Sequence, residues 1–231
     1  MNIILFDLDG TLLRSQNGHV AFNQAILKTF GVPGDIRTVR PDGKTDPEIL
    51  QEIFDVAQQK VEWGREQWQI FSEHLEDCYQ DAIAKGYTRV LALPGVSELV
   101  TELSRREGVA QGVVTGNLEV TGRLKLEAAG LGHHIGPGAF GSDSARRADL
   151  PRIAMERWQA HLKRPVLPEH CVIVGDTPKD LEAARVNNMK CLLVGTGRYP
   201  VEELELMDPD HFLADFTDTG HAIEVLLRLF E

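Results

Sequence analysis

The stretch that most constrains this chain is its first: Asn2-Ile3-Ile4-Leu5-Phe6-Asp7-Leu8-Asp9-Gly10-Thr11-Leu12. Ile3 to Phe6 is a continuous apolar run, the pattern of a strand buried on both faces. It breaks into two carboxylates, followed at once by a glycine and a threonine. A strand of this kind belongs inside a parallel sheet, where ligands sit beyond the carboxyl ends of the strands. If the backbone stays extended, Asp7 and Asp9 lie on one side, and Gly10 then lets the chain turn sharply away. Two carboxylates this close repel each other unless a cation or a shared proton stands between them.

The periodicity then changes. From His19 to about Lys85 it is helical. Val20 to Leu27 opens one helix, which Gly31 and Pro33 stop. Thr45-Asp46-Pro47-Glu48 starts a second as a capping box, with Ile49, Leu50, Ile53, Phe54 and Ala57 on one face. A third runs over about Arg65 to Ala84, where Trp68, Phe71, Leu75, Tyr79 and Ile83 recur every three or four residues. The aromatic residues of this helix read as packing rather than as a substrate box. Beyond Tyr87, strands and helices alternate. Ala110–Thr115, Gly138–Gly141, Cys171–Gly175, Lys190–Val194 and a short segment near Phe212 read as strands. That alternation predicts an α/β, doubly wound, mainly parallel sheet. Residues 1–14 and 87–231 are expected to form it, with residues 15–86 inserted as a helical cap.

Each strong strand ends in a polar cluster: Asp7 and Asp9, then Thr115-Gly116-Asn117, then Gly175-Asp176-Thr177-Pro178-Lys179-Asp180. A parallel sheet brings such ends to one edge. Asp176 and Asp180 add carboxylates to those of Asp7 and Asp9. An oxygen-only donor set suits a hard cation such as Mg²⁺. Thr115, Gly116 and Asn117 offer a hydroxyl and N–H groups at a helix start, an anion site. Arg146 and Arg147, ahead of a helix near Leu150, supply a fixed cation, and Arg147 stands nearer that helix. Gly43-Lys44-Thr45-Asp46 is a polar loop before a helix, which makes Lys44 a candidate for reading the substrate. The net charge of −11 argues against nucleic acid and anionic membranes as partners. An anionic ligand must therefore be met by local positive charge. Cys78, Cys171 and Cys191 lack metal spacing, no run is long enough to span a membrane, and the N-terminus has no leader pattern. A cytoplasmic, reducing location is the expectation.

Asp7-Leu8-Asp9-Gly10-Thr11-Leu12, Thr115, the Arg146-Arg147 pair and Asp176 with Asp180 together resemble, in order, the four motifs of the haloacid dehalogenase superfamily. The likeness is to its phosphoglycolate phosphatase-like branch with a helical cap. The resemblance implies Asp7 as nucleophile, Asp9 as general acid and base, and Thr115 and Arg147 as phosphate ligands. It also implies Mg²⁺ on Asp7, the Asp9 carbonyl and Asp176, supported by Asp180. The chain departs from the family at the third motif, where an Arg stands for the usual Lys; Arg can hold phosphate bidentately. The implied reaction is hydrolysis of a small phosphorylated metabolite through an aspartyl-phosphate. Asp9 speaks against dehalogenation. No lysine of the cap, among Lys28, Lys44 and Lys60, is marked as the Schiff base a phosphonatase needs. A β-phosphoglucomutase-like phosphomutase shares the same motifs, and a weakly active binding or regulatory module on this scaffold is the reading from another class.

Overall fold

A computed structural model describes residues 1–61 and 64–231. Its centre is a five-stranded parallel sheet in the order β4-β1-β5-β6-β7: β1 (Asn2–Phe6), β4 (Val109–Val113), β5 (Cys171–Gly175), β6 (Lys190–Val194) and β7 (His211–Leu213). The first strand lies between β4 and β5, with Phe6 opposite both Val113 and Val174. The chain therefore reverses its direction of winding at β1. The carboxyl ends of β1, β4 and β5 border the crevice this reversal leaves, the usual place for a ligand in such sheets.

Strand alternation sorts the β1 side chains into two cores. Ile4 and Phe6 pack with Val113, Val174 and Leu192 beneath α4 (Val96–Ser104) and α9 (Thr219–Arg228). Ile3 and Leu5 pack with Ile173, Leu193 and Trp158 on the opposite face. There α6 (Leu150–Leu162) and α7 (Pro178–Val186) cover the sheet. All four residues are fully buried, which is why the run carries no polar position. Cys171 and Cys191 belong to the second core, and all three cysteines are free and buried. No described helix is long and apolar enough to cross a membrane.

Three helices stand between β1 and the rest of the sheet: α1 (Gly18–Phe30), α2 (Asp46–Val56) and α3 (Arg65–Ala84). They enclose a third cluster, in which Phe22, Ile26, Phe54, Phe71 and Leu75 meet Leu118. Trp68 and Phe71 belong to this packing, as the helical spacing predicts. Two short strands flank the three helices, β2 (Leu13–Gln16) and β3 (Arg89–Ala92), paired antiparallel from Leu13↔Ala92 to Gln16↔Arg89. Each alternates between buried and exposed positions over only four residues, too little pattern to announce a strand. The fold also includes α5 (Glu119–Ala128) and α8 (Val201–Leu206).

The expected strand at Gly138–Gly141 is not one. A single parallel bridge joins Val114 to Ala139, through Ala139 N–H to the Val113 carbonyl at 2.8 Å and Thr115 N–H to the Ala139 carbonyl at 3.0 Å. Pro137 has no N–H to extend the ladder. On the other side the chain turns off, with Phe140 N–H on the Asp143 carboxylate and Gly141 N–H on the Asn117 carbonyl.

Candidate active site

The strand β1 ends at Phe6. Asp7 N–H still reaches the Val174 carbonyl of β5 at 2.8 Å, but the N–H groups of Thr11, Leu12 and Leu13 all turn back onto the Leu8 carbonyl. Gly10 adopts φ +94°. Both carboxylates line one cavity, as expected for residues on one side, but in this tight turn they take different partners.

Asp7 joins Asp176 and Asp180. Their carboxylate oxygens lie within 4.8 Å of one another, and all three side chains are buried. Asp176 follows the end of β5 and fits between two glycines: a Cβ on Gly197 would stand 1.7 Å from its Oδ2, and one on Gly10 would stand 2.4 Å away. Thr11 donates to its Oδ1 at 2.9 Å. Asp180, in the first turn of α7, accepts from the N–H and hydroxyl of Thr177. Arg147 lies across the cluster. Its Nη2 is 3.0 Å from Asp7 Oδ1 and donates to Asp180 Oδ1 at 2.5 Å. Its Nε is buried and has no partner among the described residues, which leaves that donor for an anion. Arg146 is 78% exposed and only 4.0 Å from Asp149. Of the basic pair, the fold brings Arg147 to the carboxylates and leaves Arg146 at the surface.

One guanidinium does not neutralise three buried carboxylates. Burial first, then Asp180 against the opposing pull of Arg147, pushes the Asp7 carboxyl up to about 6. Asp176 is pushed up to about 8, by burial and then by the charges of Asp7 and Asp180. Arg147, Thr11 and Thr177 offset only part of this charge. A hard divalent cation supplies such a charge and takes oxygen donors alone, so Asp7, Asp176 and Asp180 fit Mg²⁺. The Asp9 carboxylate is not in this set.

Asp9 turns instead to Lys125 on α5, which the sequence did not single out. Lys125 Nζ donates to Asp9 Oδ2 at 2.7 Å and to Asn117 Oδ1 at 2.6 Å. Asn117 Nδ2 donates to Asp9 Oδ2 at 2.8 Å and to Thr115 Oγ1 at 2.8 Å, and Ser15 donates to Asp9 Oδ1. Burial works to raise the Asp9 carboxyl, but Lys125, Asn117 and Ser15 together hold it below its ordinary range. Lys125 is itself buried and, despite that burial, is held firmly protonated by Asp9 and the nearby Tyr79 and Asp46. The signal in the sequence was a lysine on the inward stripe Leu118-Thr121-Gly122-Lys125-Leu126, where all the other side chains are small or uncharged. Asn117, read as a phosphate ligand, thus spends its side chain on Asp9, Thr115 and Lys125. Thr115 itself is fully buried at the end of β4.

Gly116 has a different task from the one expected. Its carbonyl accepts from Asp46 N–H at 2.8 Å, and a Cβ there would stand 2.0 Å from the Lys44 carbonyl oxygen. Only a glycine lets the start of α2 come this close. Asp46 Oδ2 accepts from Leu118 N–H, and Thr45, the N-cap of α2, donates to the Ala145 carbonyl. These contacts fix α2 over the sheet edge. A cavity of about 440 Å³ lies between, lined at one end by Asp7, Asp9, Thr115 and Arg147, and at the other by Phe22, Ile36 and Lys44. Lys44 faces it but is ion-paired with Glu52.

A family model for hydrolases, described as haloacid dehalogenase-like hydrolase, matches residues 1–187. The chain belongs to this family. It is 27% identical over 231 residues to the phosphoglycolate phosphatase of Synechococcus elongatus, covering 99% of this chain and 100% of that one. It is 28% identical over 197 residues to the tyrosine-protein kinase PtkA of Mycobacterium tuberculosis, covering 84% of this chain. The chain spans 62% of the length of that kinase. In fold it resembles the crystal structure of CbbY from Rhodobacter sphaeroides in complex with phosphate, with a TM-score of 0.67 at 21% identity over 95% of this chain and 97% of the other. The haloacid dehalogenase-like core thus agrees with the parallel sheet read from the sequence.

Proposed function

We propose that this hydrolase is a phosphatase that cleaves a small phosphate monoester through an aspartyl-phosphate on Asp7. The observation that carries the reading is the division of labour between two carboxylates two residues apart. Asp7 sits in a buried, charge-deficient cluster beside Arg147, and Asp9 sits apart with its own lysine. Asp7 Oδ attacks phosphorus as the bond to the leaving oxygen breaks. Asp9 gives that oxygen a proton, then takes one from the water that hydrolyses the intermediate. The arriving phosphate dianion is a like charge beside Asp9 and draws a proton onto it. Thr115 and the free Nε–H of Arg147 hold the equatorial oxygens. Mg²⁺, held by Asp7, the Asp9 carbonyl and Asp176 with Asp180 in support, would neutralise charge between nucleophile and phosphate.

In this reading residues 15–86 form a cap over a core of residues 1–14 and 87–231. The separate hydrophobic cluster of α1, α2 and α3 and the β2–β3 pair at its base support that division. The cap excludes water and meets the leaving group, with Lys44 in its loop. The unpaired cysteines suit a reducing compartment, and we place the enzyme in the cytoplasm. The test is phosphate release from a panel of small monoesters, with and without Mg²⁺, for the wild type and Asp7→Asn. Mg²⁺-dependent release that Asp7→Asn abolishes is the expected result. No release from any ester would overturn the phosphatase reading.

A further inference from the structure

The start of α2 carries a carboxyl that the proposed chemistry does not use. Asp46 is only 7% exposed, and it lines the cavity. Its backbone N–H donates to the Gly116 carbonyl, and its Oδ2 accepts from Leu118 N–H at 2.8 Å. Its other oxygen, Oδ1, accepts from no described residue. Oδ1 is not sealed inside the protein; it opens on the cavity that its residue lines. Lys125 is the cation Asp46 feels, but Lys125 Nζ is bonded to Asp9 Oδ2 and Asn117 Oδ1 instead. Burial pushes the Asp46 carboxyl up to about 6 against the pull of Lys125. An acceptor therefore stands in the cavity at neutral pH, desolvated and half-used, and such a group is costly until a donor reaches it.

Its neighbours say which part of a substrate it meets. Gly116 and Leu118, which hold Asp46, directly follow Thr115, and Lys125 touches Asp9. Asp46 thus stands at the ester end of the cavity, beside the groups assigned to the phosphate and the leaving oxygen. We propose that Asp46 is a specificity-determining residue, whose Oδ1 accepts a hydrogen bond from a hydroxyl that the leaving group carries close to its ester oxygen. The substrate class is then a hydroxylated phosphate ester, such as a polyol or sugar phosphate, in place of a plain alkyl phosphate. The proposal rests on the phosphatase reading. A hydroxyl suits the place better than an ammonium group, because the buried, protonated Lys125 already brings positive charge there, and a second cation would be repelled. An ester without the hydroxyl would displace water from Oδ1 and leave it unpaired, which is how a site built around a hydrogen bond rejects an analogue that lacks it.

The test uses the whole chain with Mg²⁺ and three esters of one size: 2-hydroxyethyl, propyl and 2-aminoethyl phosphate, which end in a hydroxyl, a methyl and an ammonium group. We expect kcat/KM for the hydroxyethyl ester to exceed that for the propyl ester by about tenfold or more, the scale of one hydrogen bond to a charged group. Asp46→Asn keeps an oxygen for Leu118 N–H and turns an amide toward the cavity, so it should narrow that ratio severalfold. A purely structural Asp46 would lower both esters alike and leave the ratio unmoved, which would overturn the assignment. Equal turnover of the hydroxyethyl and propyl esters by the wild type would overturn it without recourse to the variant, and preference for the aminoethyl ester would overturn the choice of a hydroxyl. In each of these cases the phosphatase reading stands. Release from none of the three, with release from another monoester, would overturn this inference alone; release from no ester at all would remove the phosphatase reading with it.

Discussion

The two ends of the cavity are built by different means. At the sheet edge, position comes from strand register: Phe6, Val113 and Val174 lie side by side, so Asp7, Thr115 and Asp176 follow them into one place. Excess negative charge there is left unbalanced by protein. At the helical end, position comes from loops and from close backbone approach, as at Gly116 and Lys44, and Lys44 is paired with Glu52. The first end is suited to a charge brought by a cation and a phosphate. The second is suited to shape. A rigid edge for chemistry and an adjustable face for recognition follow from which backbone is held by a ladder and which is not.

The largest effect expected is at the sheet edge. Lys125→Met should lower kcat by about a hundredfold for alkyl phosphates, the scale of general acid–base catalysis, because Asp9 loses the partner that orients it for proton transfer. It should matter much less for aryl phosphates, whose leaving groups need little protonation. A loss equal for both ester classes in steady-state assays would reduce Lys125 to a structural strut. Gly116→Ala tests the other end. Its methyl group would meet the Lys44 carbonyl, so α2 must lift, at about 1–3 kcal/mol of stability. KM should rise more than kcat falls, and an unchanged KM would detach α2 from substrate binding.

Metal and pH probe the charge deficit. Without metal, Asp7 and Asp176 take protons near pH 6 and 8, above the ordinary carboxylate range. The folded chain therefore binds more protons than the unfolded one from about pH 4 to 8, and its stability must fall as pH rises through that window. Calorimetry of the metal-free protein should show Tm falling from pH 5.5 to 8.5, by roughly 2–4 °C per kcal/mol lost for a chain of this size. Mg²⁺ should restore Tm, and more so at the higher pH. A Tm that rises with pH in the absence of metal would contradict the charge-deficient cluster. Smallest of all, Arg146→Ala should change stability by no more than about 0.5 kcal/mol and activity hardly at all, in contrast to Arg147→Ala.

What the sequence disclosed follows the same line. The ladder end was legible, because an apolar run that stops at Asp7, Thr115 or Asp176 states its own position. Arg147 was legible as a neighbour of a helix start. Lys125 was not, since one lysine in an otherwise apolar or small stripe looks like an ordinary amphipathic break until Asp9 is seen to turn toward it. Strand alternation places Asp7 and Asp9 on one cavity but does not say that they take different cations, Arg147 and Lys125. The task of Gly116 was also hidden, since its need for close approach arises from Lys44, some seventy positions earlier. The β2–β3 pair escaped because its strands pair across the whole helical segment and carry too few apolar residues to show a period.

The most direct test of the central claim is to trap the intermediate. The enzyme would be acid-quenched during turnover of its best ester with Mg²⁺ and treated with borohydride, which reduces an acyl phosphate to the alcohol. The account predicts a reduced side chain at position 7 in the peptide mass spectrum, absent when substrate is omitted. Reduction at another carboxylate, or none during active turnover, would contradict Asp7 as the nucleophile.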